Sequence, residues 1–291
     1  MHSARDLSLI AHVELGTGED RLAFRAGDDS FTYSAELSED ERRGPAGPRT
    51  PREVKAELAR VVEELRTTGL RERTERNIET FLTVADAFEA DGLLLQTVDC
   101  LDDLAGRLGE LAAARRGVVQ PQSLITSEDD LLPYRDSHNV HVLDPTYITG
   151  AQPTDRGYRW LQSKGVATVV NLRVTARSDR TTVERLGMNY VHIPWPDECS
   201  PRLDQVDELL GAVDASAGRV FQHCLRGIGR DLTMAGCYLI ARHGHSASSV
   251  IERGTESAPR WATDQHHDLD TAEPVQFALL RAVEARQHAA R

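Results

Sequence analysis

The sequence predicts an α/β protein in two parts. A smaller α+β domain is expected over residues 1–130. An α/β domain with a central, mostly parallel sheet flanked by helices is expected over residues 131–291. Three observations predict this. Beyond about residue 143, short β-branched segments alternate with amphipathic ones, the pattern of strands joined by crossover helices. The first 37 residues alternate apolar and polar positions around glycine turns, the pattern of an antiparallel meander. The charge is also split: residues 1–130 hold 27 acids and 16 bases, and residues 131–291 hold 19 and 18, within a net charge of -12.

The first strand is carried by Leu7, Leu9, Ala11, Val13 and Leu15, and Gly16-Thr17-Gly18 breaks it. Leu22 and Phe24 carry the second, Gly27-Asp28-Asp29 turns the chain, and Phe31, Tyr33, Ala35 and Leu37 carry the third. Residues 38–50 are charged and rich in Gly and Pro and read as a loop. Thr50, Pro51 and Glu53 form a helix-start signature, a capping box with proline in the first turn. Val54, Leu58, Val61, Val62 and Leu65 share one face of that helix, and Gly69 stops it. A second helix carries Ile78, Phe81, Leu82, Ala85 and Phe88, and a third carries Leu101, Leu104, Leu108 and Leu111. Leu93-Leu94-Leu95 fits a buried strand or a helix. His12, in a predicted strand, is expected to be structural. Residues 117–142 are polar and aperiodic, so the domain boundary is placed there.

In the second part, strands are expected at 147–149, 167–172, 190–194 and 220–222. Helices are expected at 154–164, 179–187, 203–215 and 231–243, and a closing helix at 273–290. His266-His267 lacks helical ligand spacing and reads as loop.

Composition excludes several classes. No apolar run approaches the roughly 18–20 residues of a membrane helix. The N-terminal residues carry no apolar signal region, so a cytoplasmic protein with no membrane association is expected. Neither half has the basic footprint of a nucleic-acid binder, so no nucleic-acid partner is expected. The four cysteines, Cys100, Cys199, Cys224 and Cys237, are too few for a disulfide framework and form no CxxC pair. No metal and no cofactor are implied. The acids of residues 1–130 are dispersed over amphipathic helices, and that domain presents no nameable chemistry; a role in binding a protein partner is left open for it.

The chemistry gathers at one strand–loop–helix junction, Phe221-Gln222-His223-Cys224-Leu225-Arg226-Gly227-Ile228-Gly229-Arg230-Asp231. A buried strand delivers a cysteine, and a helix begins six residues later. Inward-pointing loop amides and the helix N-terminus both favour an anion. They are expected to favour the thiolate of Cys224 as well, lowering its pKa below about 8.5. Gly227 and Gly229 are expected to let the backbone curl through positive φ. Arg230 offers a fork for two oxygens of a tetrahedral anion. A cysteine six positions before an arginine is common by chance in a chain with 32 arginines. The strand before, the glycines within and the helix after give the pattern its weight. Trp195-Pro196-Asp197 follows another strand, at the sheet edge where α/β ligand sites form, and Asp197 is a candidate general acid.

His223-Cys224-(five residues)-Arg230 resembles the phosphate loop of the cysteine-dependent protein tyrosine phosphatase superfamily. Trp195-Pro196-Asp197 resembles its general-acid loop. Residues 147–153 and 165–173 are similar to the opening of the dual-specificity-like bacterial branch. The resemblance covers about residues 143–245, with a phosphatase-type fold. It implies a metal-independent phosphomonoester hydrolase with Cys224 as nucleophile, a phosphocysteine intermediate, and Asp197 as acid and then base. Arg230 and the amides of Leu225, Arg226, Gly227, Ile228 and Gly229 would hold the phosphoryl oxygens. His223 would support the loop and tune the thiolate, and Arg173 would lie near the site. The implied substrate is a phosphate ester: a phosphorylated small molecule, or phosphotyrosine or phosphoserine protein.

One departure is notable. The family places Ser or Thr after the loop arginine, and this chain has Asp231. That residue would oppose a thiolate and a dianionic substrate, or pair with Arg230 or Arg226, with Thr233 as a substitute hydroxyl. The alternative reading is therefore a catalytically impaired phosphatase-like module that binds phosphorylated ligands; another phosphate or sulfur transfer on the same loop is a third. Cys199, two residues past Asp197, is a candidate for a reversible disulfide with Cys224.

Overall fold

The computed structural model describes residues 7–15, 19–26 and 29–36 (as backbone), 50–90, 94–174, 179–197, 199–257, Trp261 and 274–289. Residues 38–49 of the expected loop, the His266-His267 pair and the side chain of His12 lie outside this description. The chain divides into two compact units, Met1–His138 and Asn139–Arg291.

In the first unit, β1 (Leu7–Leu15), β2 (Glu19–Ala26) and β3 (Asp29–Glu36) form an antiparallel meander with a register shift between Leu9 and Ala11. Helices α1 (Pro51–Thr67), α2 (Glu72–Ala90) and α3 (Leu94–Arg115) follow. The capping box at α1 is formed: Thr50 N–H donates to Glu53 Oε2 at 2.7 Å, and Glu53 N–H donates to Thr50 Oγ1 at 3.3 Å. The helices pack through residues at i, i+3 and i+4 spacing, including Leu58, Leu65, Phe81, Leu101, Leu104 and Leu108, all buried. Leu94 opens α3, so the leucine run is helical where it is described.

In the second unit, β4 (His141–Val142), β5 (Tyr147–Gly150), β6 (Val166–Asn171), β7 (Asn189–His192) and β8 (Arg219–His223) form one sheet in the order β4-β5-β8-β6-β7. Strand β4 is antiparallel to β5; β5, β8, β6 and β7 are parallel. The helices are α4 (Asp155–Ser163), α5 (Asp179–Arg185), α6 (Leu203–Ala215), α7 (Arg230–His243), α8 (Ala247–Ser257) and α9 (Val275–Ala289). Two of these elements, β4 and α8, go beyond the sequence expectation.

The register positions the site. Gly150 pairs with His223, His223 with Asn171, and Asn171 with His192. Four parallel strands therefore end level with one another, and the segments after each of them leave from the same sheet edge. That is where open α/β sheets build ligand sites. Behind that edge, α7 is held by a core that includes Trp195, Met234, Cys237, Tyr238, Trp261 and Leu280. Gly236 on α7 has no room for a methyl group, since a Cβ there would lie 2.8 Å from Val250 and 2.9 Å from Leu280. Among the described residues, no helix is long and apolar enough to cross a membrane.

Candidate active site

Strand β8 is buried at its last four residues and delivers Cys224 to the sheet edge. The loop then curls back so that Gly227 N–H donates to Cys224 Sγ at 3.3 Å. Gly227 adopts φ 75°, and a Cβ there would lie 2.7 Å from the nitrogen of Ala151 and 2.9 Å from the carbonyl carbon of Gly150. Both sterics and the left-handed conformation demand glycine. Gly229 differs from expectation: its φ is −132°, so only Gly227 of the pair uses positive φ.

The loop is braced from outside. Asn139 Nδ2 donates to the carbonyl of Arg226 at 2.8 Å, and Gln152 N–H donates to the carbonyl of Leu225 at 3.1 Å. Arg173 Nη1 hydrogen-bonds Gln152 Oε1, so Arg173 reaches the loop through Gln152. Arg226 is buried rather than solvent-facing. His223 is fully buried, with Nδ1 3.0 Å from the carbonyl of Cys224 and Nε2 3.0 Å from the hydroxyl of Tyr158. The carbonyl can only accept, so Nδ1 carries the proton and Nε2 accepts from Tyr158. Burial pulls His223 down to about 4, so the ring is neutral at ordinary pH. Its contacts are those of a scaffold under the loop.

Arg230, the first residue of α7, turns toward the Trp195-Pro196-Asp197 segment. Its Nη1 donates to the carbonyl of Trp195 at 3.2 Å, its Nη2 to Asp197 Oδ2 at 3.4 Å, and its Nε lies 3.3 Å from Asp197 Oδ1. Arg230 is buried and Asp197 is about one-third exposed, so the pair lies at the mouth of the site. Trp195 is buried and donates its indole N–H to the carbonyl of Cys199 at 3.2 Å, which pins the two ends of this segment together. Gln276 donates to the same carbonyl at 3.0 Å. All four cysteines are free thiols.

Asp231 pairs with neither Arg230 nor Arg226. Its Oδ1 accepts from Cys224 Sγ at 3.3 Å and from Gly229 N–H at 3.0 Å, and its Oδ2 accepts from Thr149 Oγ1 at 3.1 Å. It is fully buried, and burial pushes its carboxyl pKa up. Thr233 supplies no substitute hydroxyl to the sulfur: it accepts from the Trp261 indole at 2.9 Å and donates to the Gly229 carbonyl at 3.4 Å.

The expectation of a lowered thiol pKa is overturned. Cys224 is pushed up to about 11, chiefly by burial and then by the adjacent Asp231 carboxylate. Arg230 and the Gly227 amide pull the other way without prevailing. Desolvation of a small ion outweighs one amide and one guanidinium already shared with Asp197.

The sequence reading missed Thr149, Asn139, Gln152, Tyr158 and Gln222. Gln222 Nε2 donates to the Asp231 carbonyl at 2.9 Å, and Tyr147 donates to Gln222 Oε1 at 2.5 Å. A glutamine directly after the apolar Val220-Phe221 pair of β8 was the available signal for this network. Among the described residues, no group of three or more His, Cys, Asp or Glu side chains is placed to hold a metal ion.

Residues 124–272 match the family model described as DSP-PTPase phosphatase fused to NAD+ kinase. The chain belongs to this phosphatase family. Similar solved structures include Tk-PTP in its active form, at 21% identity over 51% of this chain and 97% of that one, with a TM-score of 0.42. A putative phosphatase (DUF442) from Shewanella putrefaciens CN-32 matches at 21% identity over 53% and 96%, TM-score 0.42. PTPMT1 in complex with PI(5)P matches at 20% identity over 52% and 97%, TM-score 0.42.

Proposed function

We propose that the chain is a cysteine-dependent phosphomonoester hydrolase acting through a phosphocysteine intermediate and without a metal ion. The observation that carries this reading is the convergence of three chain segments. Cys224 Sγ with the Gly227 amide on it, Arg230 from the start of α7, and Asp197 from the segment after β7 meet at one sheet edge. In this reading the sulfur attacks phosphorus, and Arg230 with the loop amides from Leu225 to Arg230 holds the three phosphoryl oxygens. Asp197 gives its proton to the leaving oxygen and then takes one from the water that hydrolyses the phosphoenzyme. An incoming ester competes with Asp197 for the Arg230 fork, because one guanidinium cannot serve both fully.

The substrate is a phosphorylated small molecule or a phosphotyrosine- or phosphoserine-bearing protein, and a panel of both separates them. The Asp231 carboxylate against the sulfur favours a second reading, a module that binds phosphorylated ligands with impaired turnover. The test is phosphate release from an aryl phosphate without metal, for wild type, Cys224→Ser and Asp197→Ala. Release by wild type that is abolished in Cys224→Ser supports the hydrolase. A silent wild type whose Cys224→Ser variant binds phosphorylated ligands supports the second reading.

A further inference from the structure

We propose that Asp231 is a catalytic residue, the base that takes the proton from Cys224 as the sulfur attacks and returns it when the sulfur leaves. The inference rests on the hydrolase reading above and adds to it where the nucleophile's proton goes.

The geometry is direct. Asp231 Oδ1 lies 3.3 Å from Cys224 Sγ and accepts its hydrogen bond. The other donors fix the carboxylate in place: Gly229 N–H on the same oxygen at 3.0 Å and the Thr149 hydroxyl on Oδ2 at 3.1 Å. The position sits in the first turn of α7, where a carboxylate is favourable. A Ser or Thr here would offer the sulfur a donor; Asp231 offers it an acceptor. One negative charge is present either way. With a hydroxyl neighbour it would reside on sulfur; in this proposal it resides on oxygen, with the proton on sulfur.

The charged and titratable groups facing this pair come from every adjoining element. Arg230 and Asp197 act on Cys224, and His141 of β4 and Tyr147 of β5 face Asp231. His223, beneath the loop, is neutral. None of these is in contact with the thiol as Asp231 is. With the thiol near 11, the preformed thiolate at pH 7 is only about one part in 10⁴. A base in contact with the thiol does not depend on a preformed thiolate.

The steps balance. In the first, the Sγ–P bond forms, the P–O ester bond breaks, the Sγ proton moves to Asp231 Oδ1, and Asp197 gives its proton to the leaving oxygen. In the second, water attacks phosphorus, its proton goes to Asp197, the Sγ–P bond breaks, and Asp231 returns its proton to sulfur. Water is the only co-reactant.

The test combines two readouts on wild type, Asp231→Asn and Asp231→Ser. The Cys224 thiolate is titrated by its absorbance at about 240 nm, as a difference against Cys224→Ser. The pre-steady-state burst of phenolate from an aryl phosphate is followed from about pH 6 to about pH 8. Wild type is expected to show no Cys224 thiolate step below about pH 9 and a burst rate flat with pH. Asp231→Asn is expected to show its thiolate step at lower pH. Its burst is expected to be at least about tenfold slower at pH 6, rising about tenfold per pH unit. A wild-type burst that tracks a thiolate step at neutral pH overturns the proposal, as does an Asp231→Asn burst with the wild-type profile. If the asparagine variant does not fold, Asp231→Ser, which offers the sulfur a donor, is expected to show its thiolate step at lower pH and a burst that follows that step, and if neither folds the wild-type profile alone decides. A wild type with no burst and no phosphocysteine overturns the hydrolase reading and the base role together. A wild-type burst unaffected by position 231 overturns only the base role.

Discussion

Replacing Gly227 by alanine is the most direct challenge to the loop as the structure has it. The backbone at Gly227 has φ 75°, and a new Cβ would sit 2.7 Å and 2.9 Å from backbone atoms of Ala151 and Gly150. The left-handed conformation costs a non-glycine residue roughly 1–2 kcal/mol. Overpacking against backbone, which cannot swing aside, adds roughly 1–3 kcal/mol. A loss of roughly 2–5 kcal/mol is therefore expected. Phosphate release should be lost as well, because the displaced amide is the one on Cys224 Sγ. Gly211 supplies the control. It lies within α6, and a methyl group there would meet nothing within 4 Å, so Gly211→Ala should stabilise the same unit by roughly 0.5–1 kcal/mol. The three tryptophans, Trp160, Trp195 and Trp261, all fall in Asn139–Arg291, so their fluorescence during urea unfolding reports on that unit. A Gly227→Ala protein with the wild-type midpoint and undiminished phosphate release would refute the account of the loop.

His223 makes the second unit sensitive to acid. Its pKa falls to about 4 in the fold from an ordinary 6.5, so its contribution is intact above 6.5 and is lost as pH falls from there through about 4. The loss should reach about 2 kcal/mol by about pH 5, measured against pH 7 in matched urea unfolding, and be missing from a His223→Gln protein. Tyr158→Phe leaves the buried Nε2 of His223 without its donor and should cost about 1–3 kcal/mol by the same unfolding measurement. Asp197→Ala should lower kcat about 10²–10⁴-fold for alkyl phosphates and much less for an aryl phosphate with a good leaving group; equal losses for both would argue against a general acid. Arg230→Lys keeps the charge but loses the fork shared between Trp195 and Asp197, and should lower kcat/KM by about 10²-fold or more in steady-state assays.

Strands β5, β6 and β8 are legible in the sequence because they are buried, and burial selects β-branched and aromatic runs; β7 is only half-buried and is legible from its Tyr190-Val191 pair. The meander β1–β3 is legible for the opposite reason, its strict alternation. Strand β4 is two residues long and has no period to detect. Helix α8 is rich in serine and carries only Val250 and Ile251 as large apolar residues, so it reads as loop. The candidate site divides in the same way. The loop from Cys224 to Arg230 is contiguous and visible as a motif. Its supports are not: Asn139, Thr149 and Tyr158 lie 65–87 positions from their partners Arg226, Asp231 and His223. Only the alignment of β5 and β8 brings Thr149 to Asp231, and no local pattern encodes that pairing.

The sequence reading misjudged the charge on Cys224 for an instructive reason. A helix N-terminus, converging amides and an arginine are all visible in the chain and all point to an ionised sulfur. Burial is not visible, and neither is the direction in which Asp231 turns. With both known, the balance reverses, because a fully buried thiol next to a carboxylate holds its proton. The same features still favour an anion at the loop, since they act on whatever negative charge arrives. An anion site and an ionised nucleophile are separable properties, and in the proposed reading this loop is the first without the second. In that reading the residue after the loop arginine governs where the resting charge lies, while Gly227, the loop amides and Arg230 govern where the phosphoryl group would bind.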